Sequence, residues 1–390
     1  MSSFDVKVTR IRAIEPIENA DMIELAVVGD YRSVVRKGDF RAGDLAVYIP
    51  EASLLPERLI EKMGLTGKLA GKDKNRVKAV KLRGCLSQGL LLKLDSLTIG
   101  KSAYTVSNVL EFYNTACDRV DRMVVWEGDN VTPYLGITKY EPVIPAQFAG
   151  EVYNAGYERT VNYDIENFKK YPDILLSGEQ VVFTEKVHGT FCGVGYLPDN
   201  EWSDKHYRQR FVVFSKGMGA QGLCFRHTEN NVNNIYIRVL EELGVFDKIQ
   251  SAAEVFHPYL EDKPFFVLGE VFGAGVQDLT YGTQKSTFRI FDVALGYRGH
   301  QTYYDADKLE SLAEKLQLPH VPILYKGPFS KEIMLEHTRG KETVSGTSAH
   351  VREGIVIRPA QERFDPEIGR VILKSVSEEY ILRRGGTEYN

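Results

Sequence analysis

A succession of short strand-like segments, with almost nothing helical between them, constrains the first quarter of this chain more than any other feature. The stretches VKVTRIRAI, MIELAVVG, YRSVVRK, DLAVYIP, RVKAVKLRG and QGLLLKL fall between residues 5 and 98. Each is apolar or alternating and carries β-branched residues. Gly29-Asp30 and Gly38-Asp39 stand where turns are needed. Segments at this spacing, with no long helix to cover a sheet face, predict a small closed barrel.

An OB-type barrel is the reading adopted for this region, although the pattern also fits an SH3-like barrel. The next stretch, residues 100–150, reads as a mixed connection with a helix over Asn108–Arg122. Thr132-Pro133, Glu141-Pro142 and Ile144-Pro145 then punctuate the chain, because a residue before proline avoids the helical region. The domain boundary is placed there. Residues 1–140 are expected to form the OB-fold domain with its connecting segment, and residues 141–390 the second domain. At roughly 150 residues per domain, 390 residues predict two or three domains. In the second part the runs QVVFTE, TFCGVGYL, RFVVFSK, PFFVLGEVFG, TFRIFDVAL, EGIVIRP and RVILKSV alternate with helical stretches, clearest at Asn231–Leu243 and Asp307–Leu318. That mixture predicts an α+β domain built on antiparallel sheets with flanking helices.

Composition narrows the class. Hydrophobic residues are 43% and charged residues 26%, which suits a globular core and excludes whole-chain disorder. No run approaches the ~20 apolar residues of a spanning helix, so no membrane association is expected. MSSFDVKVTR has no apolar core of a secretory signal. Cys85, Cys117, Cys192 and Cys224 are scattered without a CxxC pair, which disfavours a zinc ribbon or disulfide framework and points to a cytoplasmic location. Net charge is −4, yet residues 62–83 carry eight cations against the single acid Asp73. A basic segment in an acidic chain predicts a local polyanion contact; a solvated loop is the competing reading.

The chemistry-bearing residues recur at strand ends. Lys186 lies in Glu185-Lys186-Val187-His188-Gly189-Thr190, between two strand runs. Glu270 sits in GEVFG, Phe291 in FRIFD, Glu353 and Arg358 in EGIVIR, and Lys374 closes RVILK. Taken singly, each has a plain reading as surface charge or core. Together they are what nucleotidyl transfer to a lysine needs. The amine attacks phosphorus only when unprotonated. Cations such as Lys374 and Arg358 would meet the developing phosphorane charge. Glu270 and Glu353 are candidate metal-supporting acids. Phe291 offers an aromatic face to a purine.

The ordered set KVHGT (186–190), GEVFG (269–273), FRIFDV (288–293), EGIVIRP (353–359) and RVILKSVS (370–377) resembles motifs I, III, IIIa, IV and V of the covalent nucleotidyltransferases. That superfamily includes ATP-dependent DNA and RNA ligases and mRNA capping enzymes, with an ATP-grasp-like ligase domain. His188, the preceding Thr184-Glu185 and the spacing Gly273-Ala274-Gly275-Val276-Gln277 are closer to RNA ligases. The barrel followed by TPYLGITKYEP at 132–142 resembles the Deinococcus/Naegleria-type RNA ligase family, which places its OB domain first.

The resemblance implies an ATP-dependent enzyme that seals a 5′-phosphate to a 3′-OH with RNA at the break, through lysyl-AMP and an adenylylated 5′ end. Lys186 would be the nucleophile. Glu185 would face the adenine, partly through backbone, and His188 and Gly189 would shape the nucleotide loop. Lys216, in FSKG, would contact the nucleotide or the 5′-phosphate. Glu270 would bind ribose hydroxyls or support metal-bound water, and Phe291 would stack on adenine. Glu353 would support the metal, and Arg358 and Lys374 would contact phosphate. The implied cofactors are ATP and a divalent metal, Mg²⁺ or Mn²⁺. The implied partner is RNA or an RNA-containing nicked duplex, met by a monomer.

Two positions depart from the pattern. Val376 stands where many relatives carry a second motif V lysine, so Lys374 acts alone or Arg383 or Arg384 compensates. His188 stands where some relatives carry Asp, which argues against a direct metal role there. The alternatives are a capping-type guanylyltransferase and a non-catalytic RNA-binding protein with a degenerate ligase domain.

Overall fold

The computed structural model describes residues 4–99, 104–141, 145–198, 210–260, 263–383 and 385–386. The chain divides into two compact units. One runs to Glu141 and takes in Phe168–Pro172; the other holds the chain up to Asn167 and from Asp173 onward. Of the proline punctuation, Pro142 and Ile144 lie outside the described residues.

In the first unit the opening segment bends between two strands, Lys7–Arg10 and Ala13–Pro16, and so serves two sheets. Lys7–Arg10 pairs with Leu45–Ile49, which pairs with Leu90–Lys93. Ala13–Pro16 pairs with Ile23–Val28, which pairs with Tyr31–Arg36. The Gln88 N–H donates to the Arg32 carbonyl at 2.8 Å and the Val34 N–H to Ser87 Oγ at 2.9 Å, which joins the two sheets into a barrel. Alternate residues point inward, as strand geometry requires. Val6, Val8, Val47, Ile49, Leu92 and Leu94 fill one part of the interior, and Ile11, Ala26, Val28, Val35 and Phe40 another.

The helix expected over Asn108–Arg122 is not formed. Tyr104–Asn114 and Arg119–Val124 are antiparallel strands, with Asp95–Ile99 as their third partner. The physical reason lies in the burial pattern. Val120, Arg122 and Val124 face solvent while Asp121 and Met123 are half-buried, a period of two and not 3.6. Asp118, at φ 50°, closes the turn.

Two five-stranded sheets build the second unit. The first has the order Glu166–Asn167, Leu373–Val376, Gly354–Pro359, Gln180–Lys186, Ile323–Pro328. Only the Glu166–Asn167 pairing is parallel. The second sheet, wholly antiparallel, has the order Phe211–Ser215, Thr190–Tyr196, Phe265–Gly273, Ser286–Leu295, Thr302–Tyr303. Its main core gathers Val194, Val213, Phe225, Val267 and Ile290 with the helices Ile235–Glu242 and Ala306–Lys315. Both helices overlap the expected stretches, and Asn234 caps the first by accepting from the Tyr236 and Ile237 N–H groups. Val245–Leu260, the longest helix described, was not anticipated. RVILKSV is broken: Gly369–Arg370 and Leu373–Val376 are strands, and the buried Val371 and Ile372 lie between them.

Candidate active site

The first sheet carries Lys186 at the end of its Gln180–Lys186 strand, opposite Gly354. Gly354 pairs in turn with Val376, and Val356 with both Thr184 and Lys374. Directly paired residues share a face, so Lys186, Gly354, Val356 and Lys374 look the same way. Gly354 is required by close backbone approach, since a Cβ there would lie 2.0 Å from the Ser375 carbonyl oxygen. Gly189 has the same reason: a Cβ would lie 2.2 Å from the Val271 carbonyl oxygen. Both glycines thus let the loop after Lys186 and the neighbouring strands crowd around one point.

At that point Lys186 Nζ lies 2.6 Å from Glu353 Oε1. Glu353 Oε2 is buried and has no hydrogen-bond partner among the described residues. Glu270 projects from the second sheet, opposite Phe191 and Arg289. Burial, reinforced by the Glu353 charge, pushes its carboxyl up to about 8 against the opposing pull of Lys186, Lys216 and the Gly189 N–H. Lys374 moves the other way: burial, then Lys216, then Lys186, lower it to about 8. Lys216 opens the helix Lys216–Gln221, and its Nζ donates to Asp164 Oδ1 at 3.0 Å. Three lysines and three acids therefore share one electrostatic environment.

Phe291 reaches its position through a β-bulge. Leu268 pairs with Asp292 and the next residue, Gly269, with Ile290, leaving Phe291 as the extra residue. Its ring lies 5.4 Å from that of Tyr163 and 5.9 Å from that of Phe191. His188 is fully enclosed, with Nε2 2.9 Å from Asp278 Oδ1 and Nδ1 2.7 Å from the Tyr380 hydroxyl. Burial lowers its pKa, so the ring is neutral near pH 7.

Two of the expected residues are engaged elsewhere. Glu185 sits on the opposite face of the strand from Lys186. The Thr343 N–H and hydroxyl donate to its Oε2 at 2.8 and 2.6 Å, with Arg352 Nε 3.7 Å away. Its side chain therefore holds the 341–351 loop, and its backbone N–H donates to the Pro322 carbonyl at 2.8 Å. Arg358 belongs to a buried ion cluster. It lies 3.5 Å from Asp292 Oδ1 and 3.9 Å from Glu362 Oε1. Arg370 bonds Asp292 Oδ2 at 2.6 Å and Glu362 at 2.6 and 2.7 Å, and the Tyr163 hydroxyl donates to Asp292 Oδ2 at 2.6 Å. Of the two arginines set against Val376, Arg383 is held by Asp278, and Arg384 lies outside the described residues. Asp164, Asp278, Asp292, Tyr163 and Tyr380 are among the members of this region that sequence reasoning did not select. Asp292, one residue from Phe291 in the FRIFD run, was the only one with a usable signal.

Among the described residues, no three His, Cys, Asp or Glu side chains converge to hold an ion by themselves. Glu353 nonetheless fits a divalent cation that keeps most of its waters, because its buried Oε2 has no hydrogen-bond partner among those residues. No helix among the described residues is long and apolar enough to cross a membrane.

An OB barrel followed by a two-sheet ligase domain defines the class: a ligase of the nucleotidyltransferase type. The chain belongs to the RNA ligase family, whose profile matches residues 179–376, and an OB-fold domain profile matches residues 5–94. The fold is also similar to solved structures of Naegleria gruberi RNA ligase. One, a lysine-to-alanine variant with ATP and Mn, is 21% identical with a TM-score of 0.70, covering 96% of this chain and 98% of that one. Another, with pyrophosphate, is 22% identical with a TM-score of 0.70 over 97% and 98%. An arginine-to-alanine variant with ATP and Mn gives 22% and 0.72 over 97% and 98%. No curated protein sequence matches the chain.

Proposed function

We propose that this chain is an ATP-dependent RNA ligase that joins a 5′-phosphate to a 3′-OH in three steps, with Lys186 as the nucleophile. The observation that carries this reading is the Lys186–Glu353 pair set among Lys216, Lys374 and Glu270. The Naegleria relative, solved with ATP and Mn and with pyrophosphate, supports the choice of nucleotide and metal.

In the first step Lys186 Nζ attacks the α-phosphorus of ATP; the new N–P bond forms as the bond to pyrophosphate breaks. Lys374 and Lys216 place positive charge beside the phosphate oxygens. Glu353 Oε1, 2.6 Å from Nζ, holds Lys186 in line and receives the proton that the amine gives up for the N–P bond to form. A bound Mg²⁺ or Mn²⁺ would supply Lewis-acid stabilisation of those oxygens. Glu270, which keeps its proton near neutrality, suits a hydrogen bond to the ribose better than a metal contact. Phe291, backed by the buried Tyr163 ring, offers an aromatic face suited to the base. AMP then passes from Lys186 to the 5′-phosphate of the RNA, and the 3′-OH attacks that phosphate and expels AMP. The barrel and its basic segment would hold the nucleic acid.

The test is incubation of purified protein with α-labelled ATP and Mn²⁺, resolved on neutral gels because a phosphoamide is acid-labile. Wild type should become labelled and release pyrophosphate, and Lys186→Ala should not. Lys186→Ala should still seal a strand that is already adenylylated. Normal labelling of Lys186→Ala would sink the assignment, and labelling by GTP in place of ATP would redirect it to a guanylyltransferase.

A further inference from the structure

Arg289 links the two sheets of the second unit through two loop segments. It lies on the Ser286–Leu295 strand, two residues before Phe291. Its Nη1 donates to the His320 carbonyl and its Nη2 to the Val344 carbonyl, each at 3.0 Å. Those carbonyls belong to separate segments, and both segments hold the strand that carries Lys186. The Glu185 N–H donates to the Pro322 carbonyl at 2.8 Å, two residues past His320. The Thr343 N–H and hydroxyl donate to Glu185 Oε2, one residue before Val344. The 319–322 segment also lies along the Phe291 strand. The Ile290 N–H donates to the Pro319 carbonyl and the Val321 N–H to the Ile290 carbonyl, both at 2.9 Å.

The side chains of these segments meet in one apolar cluster. Val187, which follows Lys186, packs with Phe272, Tyr281, Val321 and Val344, all buried, and Phe291 lies against the same cluster. Val321 follows the carbonyl bonded by Nη1, and Val344 carries the one bonded by Nη2. A guanidinium presents its donors in a rigid planar fork, so two such bonds fix the separation of the two carbonyls. Burial pulls the Arg289 pKa down and the Glu185 and Glu342 carboxylates oppose that pull, so the fork stays charged near neutrality. Glu342 stiffens the second segment by accepting from the Ser345 and Ala349 N–H groups at 2.8 Å.

We propose that Arg289 is a positioning residue for nucleotide binding: by holding the His320 and Val344 carbonyls it seats Val321 and Val344 against Phe291, and so sets the aromatic face for the base relative to the Lys186 strand. Arg289 touches no reacting atom and acts through two backbone carbonyls and the apolar cluster. Its role toward the nucleotide rests on the ligase reading given above; the clamp itself does not. Without the fork both segments can shift and the Phe291 ring loses its backing. Lys186 and Lys374 keep their places, because their strands pair with Gly354–Pro359 independently of Arg289. The effect therefore falls on the affinity for ATP more than on N–P bond formation once ATP is bound.

Arg289→Ala and Arg289→Lys, made in the full chain and compared with wild type, test this by two measurements. Hydrogen exchange of the nucleotide-free protein reads the clamp. The Glu185, Val321 and Thr343 amides should exchange about tenfold faster or more in Arg289→Ala, the signature of local opening. The Val182 and Phe183 amides, in a strand paired on both sides, should keep wild-type protection. Lysyl-AMP labelling reads the consequence. The ATP concentration for half-maximal labelling should rise about tenfold in Arg289→Ala, the scale of a lost charged hydrogen bond. It should rise about threefold in Arg289→Lys, which keeps the charge without the fork. The single-turnover rate at saturating ATP should stay within about threefold of wild type. A merely structural role would lower the fraction of protein that labels and leave half-saturation where it was. Half-saturation within about twofold of wild type in an Arg289→Ala protein with native melting behaviour overturns the proposal, as does unchanged exchange at Glu185 and Val321. If Arg289→Ala does not fold, Arg289→Lys carries the comparison, and unchanged half-saturation there overturns it. Absence of wild-type labelling would instead count against the ligase reading and leave the exchange measurement to decide the clamp.

Discussion

Lys186 Nζ and Glu353 Oε1 are 2.6 Å apart because Glu353 is the last residue before the strand whose first member, Gly354, lies opposite Lys186. One carboxylate thus both orients the amine and keeps its second oxygen free. Glu353→Gln preserves the shape and removes the charge; Lys374→Ala removes a cation from the same face. Each should slow single-turnover labelling by roughly 10²-fold or more, the scale for a preorganised charge in a closed site. A stable variant labelling at the wild-type rate would show that the residue lies outside the machinery.

Glu270 and Lys374 have opposite pH signatures in the ligand-free protein. The Glu270 pKa is raised from 4.5 to about 8, so the folded state binds the extra proton between those values. Its contribution is fully present below about 4.5 and is lost as pH rises through 8. The Lys374 pKa is lowered from 10.5 to about 8, so the unfolded state binds more protons between 8 and 10.5, and stability recovers with pH there. Glu270→Gln should therefore flatten the decline between pH 5 and 8, and Lys374→Met the rise above pH 8. Urea midpoints measured across pH 5–10 check both, and a Glu270→Gln curve parallel to wild type would contradict the assignment.

The strand runs of the second unit were legible because buried sheets leave continuous apolar segments, and Gln180–Lys186, Phe265–Gly273 and Gly354–Pro359 appear almost as read. The Asn108–Arg122 hairpin was misread because its half-exposed strands bury too little for alternation to stand out. Asp278 and Tyr380 were invisible for another reason. They meet His188 across 90 and 192 residues, and no local pattern marks an acid or a tyrosine that acts only through such a contact. Arg358 shows the converse limit: its type suited phosphate, but Asp292 and Glu362 already surround it.

Asp292 carries two arginines. Burial works against its charge, but Arg370, then Arg358, outweigh it and hold its carboxyl below the ordinary carboxylate range. Asp292→Asn leaves both guanidiniums buried with Glu362 as the remaining acid and should cost about 3–5 kcal/mol, the usual penalty for breaking a buried pair. The native contribution is present above the unfolded-state pKa and disappears as pH falls through the lowered folded-state value, so the gap between variant and wild type should narrow in acid. Asp292 also flanks the bulged Phe291, so the ATP concentration for half-maximal labelling should rise. Denaturation midpoints and labelling titrations check the two effects, and an unshifted midpoint would remove the cluster as a stabilising element.

The basic segment of the first unit is smaller than its composition suggests. Lys62 lies 3.3 Å from Glu111 and 3.7 Å from Asp95, Lys68 donates to the Gly64 carbonyl at 2.8 Å, and Arg76 stacks 4.0 Å over Tyr140. Lys72, Lys74, Lys78, Lys81 and Arg83 remain exposed, with no side-chain partner among the described residues. Lys81 and Arg83 belong to the ribbon Val80–Leu82 and Cys85–Ser87 and its turn, where Val80 and Leu82 are also exposed. Cations not held in an ion pair or stack are the ones available to phosphates. Removing a cation that neutralises one phosphate should lower the log–log salt slope of binding by about one. Changing Lys72, Lys74, Lys78 and Lys81 together to Gln should weaken binding to a nicked RNA duplex and flatten its salt slope. ATP labelling at Lys186 should be unaffected, because none of these side chains belongs to the unit that carries it. Binding isotherms at several salt concentrations decide the matter: an unchanged affinity and slope would make this segment a solvated loop.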